Sequence, residues 1–320
     1  MPLTNLVNSF PDPADEVMEA AFPEVTVDYT SGFYHGWSKS AQLELLETTP
    51  LGDDSKVPET IDILASDQTY QTQVFAVRAP IGKIASLDAA PWIGYEQRQA
   101  MAAARKLKIQ MRFAAINNVL RDPGQVNGVS YDATNRWDGT GGGSAPIDDI
   151  INYVNYVERA CGREVTDILF TKESFIALQL HPDSINRAQF VPGKVITAEA
   201  LEKIVGVKPG TVKIQNAQYR YTRNRATPGY RKHLGADVAI LHSEAPSLES
   251  AGFGYTFAFG GFAPSKIAIV DAFDQSRGPL GTTLKTAVCI AQFKVNNPDA
   301  GFVLRGVVNT ANTKYAGYLD

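Results

Sequence analysis

The sequence contains little cysteine and no long hydrophobic run. Cys161 and Cys289 are the two cysteines among 320 residues, too few for the disulfide framework of a small secreted domain. Each lies in an apolar stretch, so we predict buried thiols without a catalytic role, in a reducing compartment. No apolar run approaches the roughly 20 residues that a membrane-spanning helix requires. The first residues also lack the pattern of a signal peptide, so we expect a soluble, intracellular protein.

An excess of positive charge is also absent. Thirty Lys and Arg residues stand against 34 Asp and Glu, which gives a formal net charge of -4. No overall basic field therefore indicates nucleic-acid binding. Hydrophobic residues make up 44% and charged residues 20%, a composition that excludes a disordered or fibrous chain. The length suits one large domain or two modest ones.

Catalytic and metal-binding motifs are missing as well. No G-x-S-x-G, H-E-x-x-H or C-x-x-C motif occurs. None of the four histidines has a second ligand at metal-binding spacing, and we expect satisfied surface or turn side chains at His35, His181, His233 and His242. We predict no catalytic residue, no metal site, no cofactor and no enzymatic activity.

Two further features have a functional and a structural interpretation. The glycine cluster at residues 139–144 precedes a helix, as phosphate-binding loops do, but it lacks their Lys-Ser/Thr ending. A flexible linker is the favoured interpretation. The acidic pairs Asp53-Asp54 and Asp148-Asp149 fall at a hairpin tip and in the first turn of a helix. Solvation and the helix dipole explain them better than acid–base or metal chemistry.

The N-terminal quarter of the chain is extended. Prolines interrupt residues 1–35, where only 15–22 form a short helical candidate. Residues 43–87 resemble a long hairpin with a turn-rich tip at 48–55 and an alternating strand at 70–78. This hairpin has little apolar mass, so we expect it to lie on another surface and its tip to contact a neighbouring subunit. The predicted tip contacts are Gly52, Asp53, Asp54 and Lys56.

The strongest helix is predicted over residues 90–120, with Pro91 in its first turn. An apolar stripe is formed by Ile109, Phe113, Ile116 and Leu120. The helix is about 40 Å long, more than a compact core needs. It also carries basic residues at heptad spacing on one side, namely Arg98, Arg105 and Arg112. A solvated face is the favoured interpretation, and a face turned toward a polyanion or a neighbouring subunit's acids is the alternative.

The remainder alternates helices and strands and then becomes β-rich. We predict helices at 146–161, 172–180 and 197–205, and strands at 165–170, 211–215 and 237–241. Residues 253–259 alternate aromatic and small side chains, as a half-buried strand does. Further strands are expected at 266–272, 282–295 and 302–308, the last two joined as a terminal hairpin through 296–301.

The order of these elements resembles the major capsid protein family of tailed bacteriophages. Residues 70–80 resemble the passage from that family's E-loop into its spine helix, and residues 147–190 and 196–219 resemble its axial domain. The resemblance implies an α+β fold with an N-terminal arm (1–35), an E-loop (36–88), a peripheral domain with the spine helix (89–145), an axial domain (146–262) and a C-terminal hairpin (263–320). No long coiled-coil extension precedes these elements, and no crosslinking Lys–Asn pair is located.

The resemblance implies a structural role. Subunits of this family form hexamers and pentamers around double-stranded DNA, with scaffold, portal and decoration proteins as possible partners and no membrane. The expected location is the virion, after assembly in the bacterial cytoplasm. An encapsulin-type nanocompartment shell is the main alternative, and an α/β enzyme that binds a nucleotide at the glycine cluster is a third hypothesis.

Overall fold

The computed structural model describes residues 15–36, 66–82, 94–132, 134–138, 144–188, 195–220, 229–245, 252–261, 267–276 and 281–309. The predicted hairpin tip, with Gly52, Asp53, Asp54 and Lys56, lies outside the described residues, as do Pro91 and residues 139–143 of the glycine cluster. Among the described helices, none is both long and apolar enough to cross a bilayer.

A first sheet is built around the longest strand of the described chain. It contains β1 (Glu24–Val27), β4 (Gln73–Gly82), β11 (Gly254–Phe259), β12 (Ala268–Asp274) and β13 (Thr282–Val295). β13 pairs antiparallel with β4 and β12 along its first part and with β11 along its last part, while β1 pairs parallel with β11. The alternating apolar pattern of β13 places Cys289 in the core, as predicted.

The long helix spans Tyr95–Arg112 and continues to Leu120 in π-helical turns over Phe113–Leu120. It begins later than predicted, because Gly94 adopts a left-handed conformation with φ of 59° immediately before it. The helix packs on β4 and β13. The predicted apolar stripe is partly wrong. Ile116 and Leu120 are fully buried, but Phe113 is 37% exposed. The part of the helix before Phe113 buries a face formed by Ala100, Ala103, Ala104, Leu107 and Met111.

A second sheet has the order β5 (Gly128–Ser130), β14 (Gly301–Arg305), β10 (Val238–Leu241), β6 (Asp167–Thr171) and β7 (Val212–Gln215). Helices Pro146–Cys161, Lys172–Leu180, Pro182–Ala188 and Ala198–Val205 lie among these strands. Local signals explain the predicted boundaries: Gly162 ends the first helix at φ 75°, and the Thr171 and Thr197 side chains cap the second and fourth. The predicted stop at His181 holds for one residue only, since a further short helix begins at Pro182.

The predicted terminal hairpin is wrong. β13 belongs to the first sheet and β14 to the second, and the two strands do not pair. The connection between them turns away because the N–H groups of Asn296 and Asn297 both donate to the carbonyl of Phe253, at 2.8 and 3.1 Å, and a short 3-10 turn follows at Pro298–Ala300. A non-local hydrogen-bond acceptor thus redirects the chain from one sheet to the other.

The expected half-buried pattern of β11 is also incomplete. Four consecutive residues from Gly254 to Phe257 are buried, because the strand lies between β1 and β13 and is covered on both faces. On one side lies Phe22, which follows the predicted short helix, now seen at Asp15–Ala21. This helix is stabilised by packing, since Met18, Ala21 and Phe22 are all buried. One continuous apolar core joins both sheets.

Two small hairpins complete the described structure. β2 (Ser31–Gly36) pairs antiparallel with β3 (Ser66–Gln71), and β8 (Gln218–Arg220) pairs antiparallel with β9 (Tyr230–Lys232). The returning strand of the predicted long hairpin is confirmed over β3 and β4. Its outgoing strand starts at Ser31, inside the segment predicted as an arm, because residues 31–36 supply the matching antiparallel register.

Candidate assembly surfaces

Aromatic side chains fix the base of the hairpin β2–β3 to the first sheet. Tyr70 stacks on Phe257 with ring centroids 4.8 Å apart and planes inclined by 10°, and Tyr34 contacts the same ring at 4.9 Å. Both tyrosines are buried, in a small cluster with Val25, Val27 and Tyr255. The base of the hairpin is therefore anchored within its own chain, through a cluster separate from the main core.

Polar contacts complete this base. The Lys294 ammonium lies 5.2 Å from the centre of the Tyr34 ring and donates to the Thr69 carbonyl at 2.5 Å. The Gln71 N–H donates to the Gln292 side chain at 2.7 Å. Burial raises the pKa of the Tyr34 hydroxyl, which donates to Gln68, and lowers the pKa of Lys294. These contacts hold the hairpin base without any contribution from a partner.

Large apolar side chains around this base remain exposed. Tyr29 and Phe33 are each 74% exposed, Val74 is 66% exposed and Phe273 is 55% exposed. Single exposed apolar residues are common on monomeric proteins. Here Tyr29, Phe33 and Val74 lie in β2, in the turn before it and at the start of β4, beside a hairpin whose continuation lies outside the described residues, whereas Phe273 pairs with Thr283 near the opposite end of β13. This distribution is typical of a surface that a further chain covers.

The basic residues of the long helix do not share one environment. Arg98 and Arg105 are exposed, as a surface contact requires, whereas Arg112 is only 3% exposed and lies inside the fold. The helix also carries Glu96 in its first turn, which contacts the Lys285 ammonium at 3.1 Å. Lys285 is buried in β13, and its ammonium also lies 2.6 Å from a carboxylate oxygen of Asp271. Burial lowers the pKa of Lys285 and the two carboxylates raise it, and the net shift is upward. This ion pair links the helix to the sheet.

The arrangement that most resembles a catalytic pair is Ser144 with His181. The Ser144 hydroxyl lies 3.0 Å from His181 Nε2, and the Asp183 N–H donates to His181 Nδ1 at 3.3 Å. Because Nδ1 accepts a hydrogen bond, the ring proton resides on Nε2 and points toward the serine. The neutral ring cannot then take the serine proton, as a general base must. Burial also lowers the pKa of His181. The pair acts as a structural link.

Two other histidines differ from the expectation of satisfied surface side chains. His233 is completely buried, and neither ring nitrogen has a hydrogen-bond partner. Burial and the neighbouring Arg112 charge lower its pKa to about 4. His242 is 8% exposed, and its Nδ1 bonds the Glu164 carbonyl at 2.7 Å. Neither histidine stands within a periodic apolar pattern from which its burial could be predicted.

The acidic pair in the first turn of helix Pro146–Cys161 has specific partners. Asp148 accepts two hydrogen bonds of 2.8 Å from Arg187, and Asp149 accepts one of 3.0 Å from the buried Trp137. The structural interpretation of Asp148-Asp149 is therefore supported by these contacts. Within the described ranges, no group of three or more His, Cys, Asp or Glu residues is placed to hold a metal ion.

A cavity beside the hairpin β8–β9 was not predicted. It has a volume of about 890 Å³ and is lined by residues of the π-helical segment, β9 and the chain after β14. The sequence contains a signal that would have located it. Between Asn216 and Ala236 there are arginines, a lysine and tyrosines but no acidic residue, which is unusual in a chain with net charge -4.

No protein-family model matches the sequence, and no curated protein matches it. Solved structures are similar. A phage-related protein from Bordetella bronchiseptica has a TM-score of 0.71 at 18% identity, with 95% of this chain and 96% of that chain covered. A virus-like particle from Pyrococcus furiosus has a TM-score of 0.53 at 11% identity, covering 95% and 96%. The capsid of cyanophage P-SCSP1u has a TM-score of 0.52 at 11% identity, covering 90% and 86%.

These likenesses establish the fold. The described sheets, the long helix and the hairpin base form the α+β fold found in phage-capsid and virus-like-particle subunits, which confirms the predicted fold class. The coverage extends over nearly the full length of each chain, so the shared fold includes both sheets and is not limited to one of them.

Proposed function

We propose that this protein is the subunit of an icosahedral head shell that encloses the double-stranded DNA of a tailed bacteriophage. The observation that carries the proposal is the likeness of fold to a cyanophage capsid over 90% of this chain and 86% of that chain. The fold is used there to build a capsid. An extended hairpin with exposed aromatic residues is suited to the same use, because a neighbouring subunit can bury what a monomer leaves exposed.

The parts of the chain have proposed roles in this shell. The first sheet and the long helix form the peripheral domain, and the second sheet with its helices forms the axial domain. The hairpin β2–β3 is the base of the E-loop, whose tip residues Gly52, Asp53, Asp54 and Lys56 contact a neighbouring subunit. The separate cluster around Phe257 supports this assignment, because it holds the base of the hairpin independently of the main core.

The proposed partners follow from the shell. The subunit contacts copies of itself in hexamers and pentamers, and packaged DNA contacts the inner wall without sequence preference. Scaffold, portal and decoration proteins are further proposed partners, and the virion is the proposed location after assembly in the bacterial cytoplasm. The proposal assigns no enzymatic activity. The geometry of Ser144 and His181 supports that assignment, since the histidine proton faces the serine.

A second candidate function has its own observation. The likeness to a virus-like particle from Pyrococcus furiosus, with 96% of that chain covered, favours a shell that is not a phage head. An encapsulin-type nanocompartment would use the same fold to enclose protein cargo. The two candidates differ in shell content, nucleic acid in one and protein in the other.

Negative-stain electron microscopy of the purified protein tests the proposal. A phage head subunit forms closed shells or capsomers, and shells recovered from phage-producing cells contain nuclease-protected double-stranded DNA. Small shells that contain a second protein and no DNA would assign the nanocompartment function instead. Monodisperse monomers under every assembly condition would contradict both.

A further inference from the structure

The hairpin β8–β9 is a small element whose order depends on its side-chain contacts. Gln218–Arg220 and Tyr230–Lys232 pair with each other and form a two-stranded sheet that joins neither of the two large sheets. A two-stranded hairpin on its own is marginally stable in water. Contacts with the rest of the fold must therefore hold this hairpin in place, and their loss would release it without unfolding either large sheet.

Side chains on both faces of the hairpin make such contacts. On one face the Lys232 ammonium is buried and pairs with the carboxylate of Glu173, on a neighbouring helix. On the other face the Tyr219 ring meets Phe113 of the long helix edge to face, with ring centroids 5.2 Å apart. The His233 ring, directly after β9, lies 4.9 Å from the Tyr219 ring. The second face therefore attaches the hairpin to the long helix through three rings.

His233 lies in surroundings that suit only the neutral form of its ring. The ring is completely buried, and neither nitrogen has a hydrogen-bond partner among the described residues. Arg112, which precedes Phe113 on the long helix, is 3% exposed and adds a buried positive charge that acts on the ring. Burial and, after it, the Arg112 charge lower the pKa of His233 to about 4. A protonated ring would face a second cation and leave its N–H groups without acceptors.

No described carboxylate is placed to neutralise a proton on His233. The charged and titratable groups on the elements around the ring are Arg112 on the long helix, Tyr219 on β8, Arg231 and Lys232 on β9, Glu173 on helix Lys172–Leu180 and Asp237 before β10. The acids in this set are already paired, Glu173 with Lys232 and Asp237 with Arg121. Protonation of His233 therefore adds an uncompensated charge to the interior.

We propose that His233 is a pH-sensitive latch whose protonation releases the hairpin β8–β9 from the long helix. In the closed form the neutral ring is buried beside Tyr219 and Arg112. In the open form the Tyr219 and His233 rings leave the helix, and water solvates the imidazolium. The opening is confined to the hairpin, because the hairpin belongs to neither large sheet. The proposal concerns one element of the chain and does not depend on shell assembly.

The size of the effect follows from the proton affinity of the two forms. An exposed histidine has a pKa of about 6.5, whereas the pKa of the buried His233 is lowered to about 4. The open form therefore takes up a proton first as the pH falls. The ratio of open to closed hairpin should rise by about twentyfold between pH 7 and pH 5. Carboxyl groups ordinarily titrate below this window, so histidine dominates it.

Amide hydrogen exchange of the full-length protein, followed by mass spectrometry, tests the latch. After correction for the intrinsic exchange rates, protection of residues 217–220 and 230–233 should fall by about twentyfold from pH 7 to pH 5. Local opening exposes little surface, so this protection should depend weakly on low concentrations of urea. Strand Val238–Leu241 of the second sheet is the internal reference, because its amides should exchange with the full urea dependence of global unfolding.

Two variants identify the titrating group. His233→Phe keeps a ring against Tyr219 and cannot take up a proton, so the change of about twentyfold should disappear. His181→Gln is the matched control, since it removes a different buried histidine whose pKa burial also lowers, and it should leave the change intact. If His233→Phe does not fold, the natural protein decides alone, because His233 is the only histidine between residues 182 and 241.

Loss of protection that is confined to the hairpin, absent in His233→Phe and retained in His181→Gln supports the latch. Hairpin protection that stays the same from pH 7 to pH 5 would overturn the proposal. A loss of protection with the same urea dependence as Val238–Leu241 would overturn it too, since the whole fold and not the hairpin would then open. A pH dependence that persists in His233→Phe would show that another group titrates.

Discussion

Tyr70 and Phe257 stack face to face, with ring centroids 4.8 Å apart and planes inclined by 10°. Tyr70 belongs to the hairpin β2–β3 and Phe257 to β11 of the first sheet. This stacked pair, together with the contact of Tyr34 with the same ring, joins the hairpin base to the first sheet. The hairpin base is thus positioned within its own chain, which in the proposed shell reduces the conformational entropy that contact with a neighbour must offset.

Removing this contact should destabilise the subunit. Tyr70→Ala deletes a ring that is only 6% exposed, and we expect the free energy of unfolding to fall by about 3 kcal/mol. Phe33→Ala in the neighbouring strand is the control, because that ring is 74% exposed and its loss should change stability by less than about 0.5 kcal/mol. Urea unfolding of unassembled subunits measures both. Equal effects of the two substitutions would contradict the anchoring role of Tyr70.

The tip of the predicted E-loop should be required for assembly and not for folding. Deletion of residues 53–59 is expected to leave the circular dichroism spectrum and melting temperature of the subunit unchanged while shells fail to form. Replacing the same residues with a Gly-Ser sequence of equal length separates the effect of length from that of side chains. Normal shells from the deleted protein would show that the tip has no essential assembly role.

The two cysteines should be inert. Cys161 and Cys289 are 3% and 5% exposed, and burial raises the pKa of the Cys161 thiol, so little thiolate is available. We expect slow labelling by a thiol reagent in the native protein and rapid labelling after denaturation. Cys161→Ala should cost about 1 kcal/mol through a small cavity. Rapid labelling of either thiol in intact shells would contradict their burial.

Stability should fall in mild acid because of His233. Its pKa is lowered to about 4 in the folded protein. An unfolded histidine has a pKa of about 6.5, so the unfolded chain takes up a proton before the folded one does as the pH falls. Stability is therefore fully present above about pH 6.5 and decreases toward pH 4, by about 2 kcal/mol between pH 7 and pH 5.

His233→Leu tests this origin of the acid sensitivity. Urea unfolding at pH 7 and pH 5 should show a smaller loss of stability in the variant than in the natural protein. His181→Gln is the comparison, because His181 also has a pKa lowered by burial but keeps hydrogen-bond partners at both nitrogens. An unchanged pH dependence in His233→Leu would exclude His233 as the cause.

Charge reversal at Arg105 should distinguish the two proposed uses of the long helix. Arg105 is exposed, and the proposed shell places it either toward packaged DNA or toward a neighbouring subunit's acids. If the Arg105→Glu protein forms empty shells that no longer package DNA, the result favours a position of Arg105 on the inner wall. Failure to assemble would favour the subunit contact. Normal assembly and packaging, as expected for the control Lys203→Glu, would exclude both.

Local signals explain which parts of the fold the sequence predicts. Helix Lys172–Leu180 and strand Thr282–Val295 have the predicted boundaries, because the local sequence supplies a threonine cap for the helix and a run of β-branched and apolar residues for the strand. The pairing of β13 with β14 was mispredicted. The N–H groups of Asn296 and Asn297, which follow β13, donate to the carbonyl of the sequence-distant Phe253 and turn the chain away from β13. Adjacent strands suggested a hairpin, and a contact between sequence-distant residues decided otherwise.

The candidate surfaces were harder to predict than the fold. Heptad spacing placed Arg98, Arg105 and Arg112 on one side of a helix, but the structure buries Arg112 beside His233, so periodicity alone could not separate surface from interior. The cavity beside β8–β9 combines residues from five stretches of the chain. Only its basic and aromatic stretch at 216–236 is visible in the sequence, and its walls come from tertiary packing.

A single-particle reconstruction of the purified, assembled protein tests the central proposal most directly. It should show a closed icosahedral shell in which the hairpin that begins at β2–β3 lies on a neighbouring subunit and the ring of Tyr70 remains stacked on Phe257 of its own chain. A protein that stays monomeric under all assembly conditions, or a shell in which the hairpin makes no contact with a neighbour, would contradict it.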